Sequence, residues 1–435
     1  MAKKKREEKP KEYTHRQLSH FNKQKRRQLI ILITGITVIA AIILIPIIGW
    51  FVTEYLPLHQ TVVSVNGVKF NMAEYIDTMK ILRMNDSSIA SETLASQALQ
   101  YIGQGEEIKQ GAAKLGVTIS DNETKSYLKM AGLPDTKAFM DYYGNQILAS
   151  ELQNNYFGAN VTKEENQVHP LMMMLESDKQ AQQIRDLLVN GDNFTALAGK
   201  YALNYYSANV NSGDFGWHIR QILKTQTGTD IPLDYAFSAD VGALSPPLTD
   251  NATYKQLGYW LIKLVDRPEE GKVNVQALLL SDNATAIDIK ARLEAGTASL
   301  ADMADKYTQY SLSKEKHGDF GVINSTDNST YTQAFNDYVF NPATPTGKWS
   351  DPLLEKELWT QGGSWLVKVL EKEENRAVSS EDKKTIITDA FNNWFSGLSS
   401  DPNMKIDTSL ITDKMAQWAI ERLDKELPAS SVQSS

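Results

Sequence analysis

The sequence predicts an α+β chain with a membrane-spanning helix near its N-terminus, a helical domain after it and two tandem α+β repeats beyond that. Three observations predict this architecture. Leu29 to Val52 carries no charge. Residues 61–160 place apolar side chains mostly at helical spacing. From about Gln167 to Glu374 the chain repeats itself once, at an offset near 105 residues.

The apolar run LIILITGITVIAAIILIPIIGWFV is long enough to span a bilayer, which takes about 20 residues. A transmembrane helix tolerates Pro46, and Trp50 and Tyr55 fall where an interfacial aromatic belt lies. The run is too long for the apolar region of a signal peptide, and no A-x-A-like cleavage site follows it. Residues 1–27 hold eleven Lys/Arg against Glu7, Glu8 and Glu12, a net of +8 in a chain of −8 overall. Lys23, Lys25, Arg26 and Arg27 place the N-terminus in the cytoplasm and the body outside. This gives a basic cytoplasmic tail at 1–28, its first 20 residues solvated and disordered, and a single-pass anchor at 29–52. The body is strongly acidic with no basic stripe, which excludes a nucleic-acid partner. Without cysteine there is no disulfide, thiolate zinc site or thiol nucleophile.

Thr61 to Phe70 reads as a hairpin around Asn66-Gly67, a pair suited to a type I′ turn. Helices follow at Ala73–Arg83 and Ser91–Leu115, the latter stopped by Gly116. Ser120 or Asp121 caps another, and a fourth runs from Asp135 to about Tyr156.

In the repeat, Ser212-Gly213-Asp214-Phe215-Gly216 matches His317-Gly318-Asp319-Phe320-Gly321. Ser245 in its Gly-x-x-Ser-x-Pro segment matches Ser350. Gly258-Tyr-Trp260-Leu-Ile-Lys263 matches Gly363-Ser-Trp365-Leu-Val-Lys368. Each copy opens with an apolar strand, Leu171–Leu175 or Ala277–Leu280. An amphipathic helix follows, and a second helix ends at Tyr201 or Tyr307. A repeat this long signals duplicated domains rather than solenoid turns. Their boundaries are 165–270 and 271–376, with linkers near Val161–Asn166 and Asp266–Lys272. Ser380–Phe395 and Thr408–Leu423 read as further helices, and 426–435 as a disordered tail.

The Gly-Asp-Phe-Gly element, the Ser-x-Pro segment and the closing Gly-x-Trp-Leu strand, in that order and twice, resemble the parvulin (PpiC-type) peptidyl-prolyl isomerase family. Val65-Asn66-Gly67 before a helix, and Leu115-Gly116-Val117 to Ser120-Asp121, resemble the N-terminal domain of SurA- and PrsA-type foldases. The resemblance covers roughly residues 61–425. It implies a SurA-N-like chaperone domain at 61–160, completed by helices at 377–425 that fold back onto it, and two parvulin-like repeats. It also implies an extracytoplasmic folding factor whose partners are unfolded or newly exported polypeptides, with no cofactor and no metal.

The family pattern carries a His on the first and last strands and a Cys or Asp after the second helix. Here the first-strand position falls on Met172 and Ala277, and the last-strand position on Trp260 and Trp365. The third falls on Tyr310, and in the first copy on Asn204 or Tyr205. The apolar lining that remains is Phe237 in one copy and Phe335 and Phe340 in the other. Isomerase activity therefore stays open beside two alternatives, a non-catalytic holdase and a structural spacer. Asp214 and Asp319 read as braces of turns, and the neighbouring glycines as positive-φ residues. His169, His218 and His317 show no metal-ligand spacing, and Met172–Met174 reads as a buried strand.

Overall fold

The computed structural model describes residues 15–427. The expected tails at 1–14 and 428–435 lie outside them. Two compact units form: one takes the chain up to Ala159 and again from Ala390, the other takes Asn160–Asp389.

His15–Trp50 is one helix, continued by Phe51–Tyr55 and Leu56–Leu58. It is the one helix among the described residues long and apolar enough to cross a membrane. Its large apolar side chains from Leu29 to Val52 are exposed. The helix corrects the expected tail, because residues 15–28 are helical. Once the apolar run nucleates a helix, each added residue gains a hydrogen bond, and the Gln, Lys and Arg before it are good helix formers.

In the first unit, β1 (Thr61–Val65) and β2 (Val68–Asn71) make the hairpin, with Asn66 at φ 48 and Gly67 at φ 84 as the turn requires. Asn71 and Glu74 form a capping box that starts Met72–Asn85. Ser91–Lys114 ends before Gly116, which sits at φ 76. Ser120 and Glu123 box the start of Asp121–Ala131, and Lys137–Glu151 follows. The far end of the chain completes this unit. Ala419, Ile420 and Leu423 of Asp413–Glu426 enter a core with Tyr75, Ile76, Met79 and Leu94. Phe391 joins Ala112, Leu148 and Leu152. A Cβ at Gly111 would come within 2.8 Å of Trp394, so glycine permits this approach. A short strand, Ile406–Asp407, pairs with β1, which the sequence did not announce. Glu426 closes a helix rather than opening a tail.

In the second unit the strands are β3 (Glu164–Leu175), β4 (His218–Ile219), β5 (Leu248–Lys255), β6 (Gly258–Glu269), β7 (Lys272–Leu280), β8 (Asp319–Asn324), β9 (Leu353–Glu355) and β10 (Thr360–Ala377). They form two four-stranded sheets, ordered β4-β3-β10-β5 and β8-β7-β6-β9. The two sequence repeats therefore do not coincide with the two sheets. Each repeat gives its closing strand to the sheet of the other. β6 pairs with β7 from Tyr259↔Leu280 to Glu269↔Lys272, and β10 pairs with β3 from Ser364↔Leu175 to Ala377↔Glu164.

Chain connectivity explains the exchange. Only Glu270-Gly271 separates β6 from β7, and Gly271 takes φ 74. Antiparallel strands joined by two residues pair with each other as a hairpin. β6 is thus committed to β7, and β3 receives its central neighbour from β10. Asp266–Lys272, read above as a linker, is the tip of that hairpin. The Val161–Asn166 stretch likewise runs into β3, whose first residue pairs with Ala377.

Each sheet buries both faces. Along β3, Leu171, Met173 and Leu175 face the helices Asp178–Val189 and Phe194–Tyr201, while Met172 and Met174 face the opposite core. That alternation is the period of two that a strand imposes. Leu278 and Leu280 alternate with Ala277 and Leu279 in the other sheet in the same way.

Candidate functional site

The residues singled out in the sequence gather into two apolar clusters, but with exchanged membership. Met172 and Phe237 meet Trp365, which comes from the other repeat. Trp260, in turn, packs with Ala277, Tyr310, Phe335 and Phe340. The assignment of each Trp to its own repeat is thus corrected, and the strand exchange is the reason. Tyr205 stands apart, 68% exposed at the start of the helix Tyr205–Asn209.

Met172, Ala277, Phe335 and Trp365 are fully buried, and Trp260 is 1% exposed. In the second cluster the rings interlock. Trp260 lies 5.1 Å from Phe335 and 5.3 Å from Tyr310, centroid to centroid, and Phe335 stacks on Tyr331 at 4.8 Å. Burial pushes the Tyr310 and Tyr331 hydroxyls above their ordinary pKa. The Tyr310 hydroxyl donates to the Thr330 carbonyl at 3.4 Å.

Each Trp is also tethered. The Trp260 indole N–H donates to Glu355 Oε2 at 2.8 Å, and the Trp365 indole N–H donates to Asp250 Oδ2 at 3.2 Å. Both carboxylates are fully buried. Glu355 also accepts from the Thr332 hydroxyl at 2.5 Å and from the Glu357 amide at 2.6 Å, while Asp250 accepts from the Ala252 and Thr253 amides. Neither carboxylate was singled out in the sequence. The signal was there: Asp250 and Glu355 stand at the same 105-residue offset as the two Trp residues.

The surrounding polar contacts repeat as well. Ser245 Oγ accepts from the Val367 amide and Ser350 Oγ from the Ile262 amide, at 2.9 and 3.0 Å. Ser207 donates to the Met172 carbonyl and Ser313 to the Ala277 carbonyl, at 2.7 and 2.6 Å. Asp214 and Asp319 each accept from the amide two residues on, Gly216 or Gly321, at 3.0 Å, as braces of a turn. The choice between Asn204 and Tyr205 is resolved by backbone contacts. Leu203 bonds to Met174 as Gln309 bonds to Leu279, which sets Asn204 opposite Tyr310. The Asn204 side chain accepts from the Met174 amide and donates to Ser207. The polar side-chain atoms of Asn204, Trp260, Tyr310 and Trp365 are thus all taken up by contacts within the second unit. The three histidines pair with carboxylates: His169 with Asp214, His218 with the buried Asp382, and His317 with Asp305.

A family model described as SurA-like N-terminal domain matches residues 18–164. The foldase protein PrsA of Halalkalibacterium halodurans is 25% identical over 243 residues, 48% of this chain and 66% of the relative. A parvulin-like PPIase of Rickettsia conorii is 25% identical over 261 residues, 52% of this chain and 88% of the relative. The crystal structure of a peptidylprolyl isomerase (PrsA) from Bacillus cereus aligns with 87% of this chain and 95% of its own, at 12% identity and a TM-score of 0.26. The aligned stretches in the two sequence relatives cover about half of this chain. Residues 18–164 thus match the SurA-like N-terminal domain, and the chain is similar to PrsA foldases and parvulin-like PPIases over about half of its length.

Proposed function

We propose that this chain is a membrane-anchored, extracytoplasmic folding factor that holds unfolded or newly exported polypeptides, and that its two parvulin-like halves bind or brace rather than isomerise. Relatives that carry the names foldase and parvulin-like PPIase support a polypeptide client. The apolar N-terminal helix supports the anchor, with the basic residues before it in the cytoplasm.

One observation carries the non-catalytic part. Prolyl isomerisation must lower a barrier of about 18–20 kcal/mol that arises from amide resonance. A catalyst therefore needs an accessible apolar seat for the proline and polar groups beside the twisting amide. Here both last-strand positions hold a buried Trp whose N–H is consumed by a buried carboxylate. Nothing at those positions is left to reach a client.

Refolding of a proline-limited protein in the presence of the full-length chain tests this reading. Suppressed aggregation with an unchanged slow phase is the expected result. Acceleration of the slow phase would overturn it and make one half an isomerase.

A further inference from the structure

The apolar N-terminal helix does not end in a free linker. It runs on through Phe51–Tyr55 and Leu56–Leu58, and Thr61 already opens β1. Leu58 packs against the core of the first unit, as do Met415 and Trp418 of the C-terminal helix Asp413–Glu426. Trp50, Phe51 and His59 set their rings against Tyr55, at 5.9, 5.1 and 4.0 Å between centroids.

Ion pairs lock the same junction. Glu54 is the first charged residue after the apolar run, and it accepts from Arg422 at 2.5 Å. Arg422 also meets Glu426 at 3.0 Å, and Glu426 meets Lys80 at 2.6 Å. The network thus runs from the end of the apolar helix through the C-terminal helix into Met72–Asn85.

Depth follows from residue count. Glu54 stands two residues beyond Val52, about 3 Å farther along a helix. The headgroup layer on each side of a bilayer is about 5–8 Å deep. A helix that spans at Leu29–Val52 therefore holds the Glu54 carboxylate, and Arg422 with it, inside that layer. A cavity of about 280 Å³ opens at this place, lined by Glu54, Trp418, Glu421, Arg422, Lys425 and Glu426. The Arg422 guanidinium lies 5.4 Å from the Trp418 ring. Lys425 is exposed and has no ion-pair partner among the described residues. Trp is enriched at membrane interfaces, and Lys and Arg bond phosphate. With three carboxylates beside two cations, the lining suits a zwitterionic headgroup, whose ammonium and phosphate it meets together.

We propose that the face of the C-terminal helix carrying Trp418, Arg422 and Lys425 rests in the headgroup layer of zwitterionic phospholipid, held there by the Glu54–Arg422 pair. The first unit is then mounted on the bilayer surface rather than hung from a tether. The proposal rests on the anchor reading above and adds a second membrane contact to it.

The chain has no cysteine, so Q417C, at an exposed position on this helix, takes a single nitrobenzoxadiazole label. The labelled full-length chain is reconstituted into phosphatidylcholine vesicles that carry a nitroxide either on the headgroup or deep in the acyl chain. The headgroup nitroxide should quench the label, and the acyl-chain nitroxide should quench it less. E54Q in the same labelled chain should lose the headgroup quenching. Phosphatidylglycerol as the host lipid should weaken it, because the lining is net negative. Absence of headgroup quenching, or quenching that E54Q leaves unchanged, overturns the proposal. Equal or stronger quenching in phosphatidylglycerol overturns the zwitterionic assignment. Vesicle flotation separates this inference from the reading beneath it. A chain that floats without quenching keeps its anchor and sinks only this inference, whereas a chain that does not float sinks both.

Discussion

Trp260 donates its indole N–H to Glu355 at 2.8 Å, and neither side chain reaches solvent. The carboxylate is also held by Thr332 and by two backbone amides, so its removal strands several buried donors. E355A should destabilise the second unit by about 3 kcal/mol, since each orphaned buried donor costs about 1–3 kcal/mol. W260F removes one donor and leaves the others paired, so it should cost less. Urea unfolding followed by circular dichroism checks both. A loss below about 1 kcal/mol for E355A would show that water replaces the carboxylate and that the tether is weak.

The strand exchange makes residues 256–357 a contiguous sheet unit, with β6, β7, β8 and β9 all inside it. That fragment should fold alone. The two sequence repeats should not. A fragment 165–270 keeps β3 but lacks β10, and carries β6 without β7. An unpaired apolar strand of that kind is an aggregation template. Dispersed amide NMR signals from 256–357, with aggregation of 165–270, are the expected pair of results. Well-folded 165–270 would mean that β6 can replace β10 beside β3.

Much of this was legible beforehand, and the exchange shows where legibility stopped. The duplicated motifs, the helix ends at Tyr201 and Tyr307 and the capping boxes all follow from local rules. Which copy a closing strand serves does not. Trp260 and Trp365 occupy equivalent places, so either assignment satisfies the repeat equally well. Connection length alone separates the two, through the two residues between Glu269 and Lys272. The pairing of Ile406–Asp407 with β1 was hidden for a different reason. Two residues carry no periodicity, and their partner lies more than 300 positions away.

Four glycines in the two Gly-Asp-Phe-Gly turns separate backbone strain from steric contact. Gly213, Gly216, Gly318 and Gly321 all take positive φ. A Cβ at Gly216 or Gly321 would meet open space, whereas at Gly213 it would lie 2.8 Å from the Ala198 Cβ and at Gly318 2.7 Å from Leu300. G216A and G321A should therefore cost only the left-handed penalty, about 1–2 kcal/mol. G213A and G318A add an overpacking cost of about 1–3 kcal/mol. Urea midpoints should rank the four in that order. Equal losses in all four would mean that the helices carrying Ala198 and Leu300 shift aside without cost.

The last prediction concerns a buried cation where the two sheets cross over. Lys255 is 1% exposed at the end of β5 and donates to the Gly362 carbonyl. Burial lowers its pKa to about 8, although Asp282 and Glu176 favour its charged form. Glu176 in turn accepts from the Tyr259 hydroxyl at 2.9 Å, and burial holds the Glu176 carboxyl above its ordinary pKa. An amine with a depressed folded-state pKa is protonated more readily in the unfolded chain. Between pH 8 and the ordinary lysine value of 10.5 the unfolded state binds the extra proton, so stability rises with pH across that window. The shift corresponds to about 3 kcal/mol that the folded state lacks at neutral pH and regains on deprotonation. Tyr259, whose hydroxyl is pushed up by burial and by Glu176, opposes the gain only above pH 10. The unfolding midpoint in urea should therefore climb from pH 8 to pH 10 in the unaltered chain and stay flat in K255M. A midpoint that falls over the same interval would mean that Lys255 remains charged in its buried site, with Glu176 and Asp282 outweighing the cost of burial.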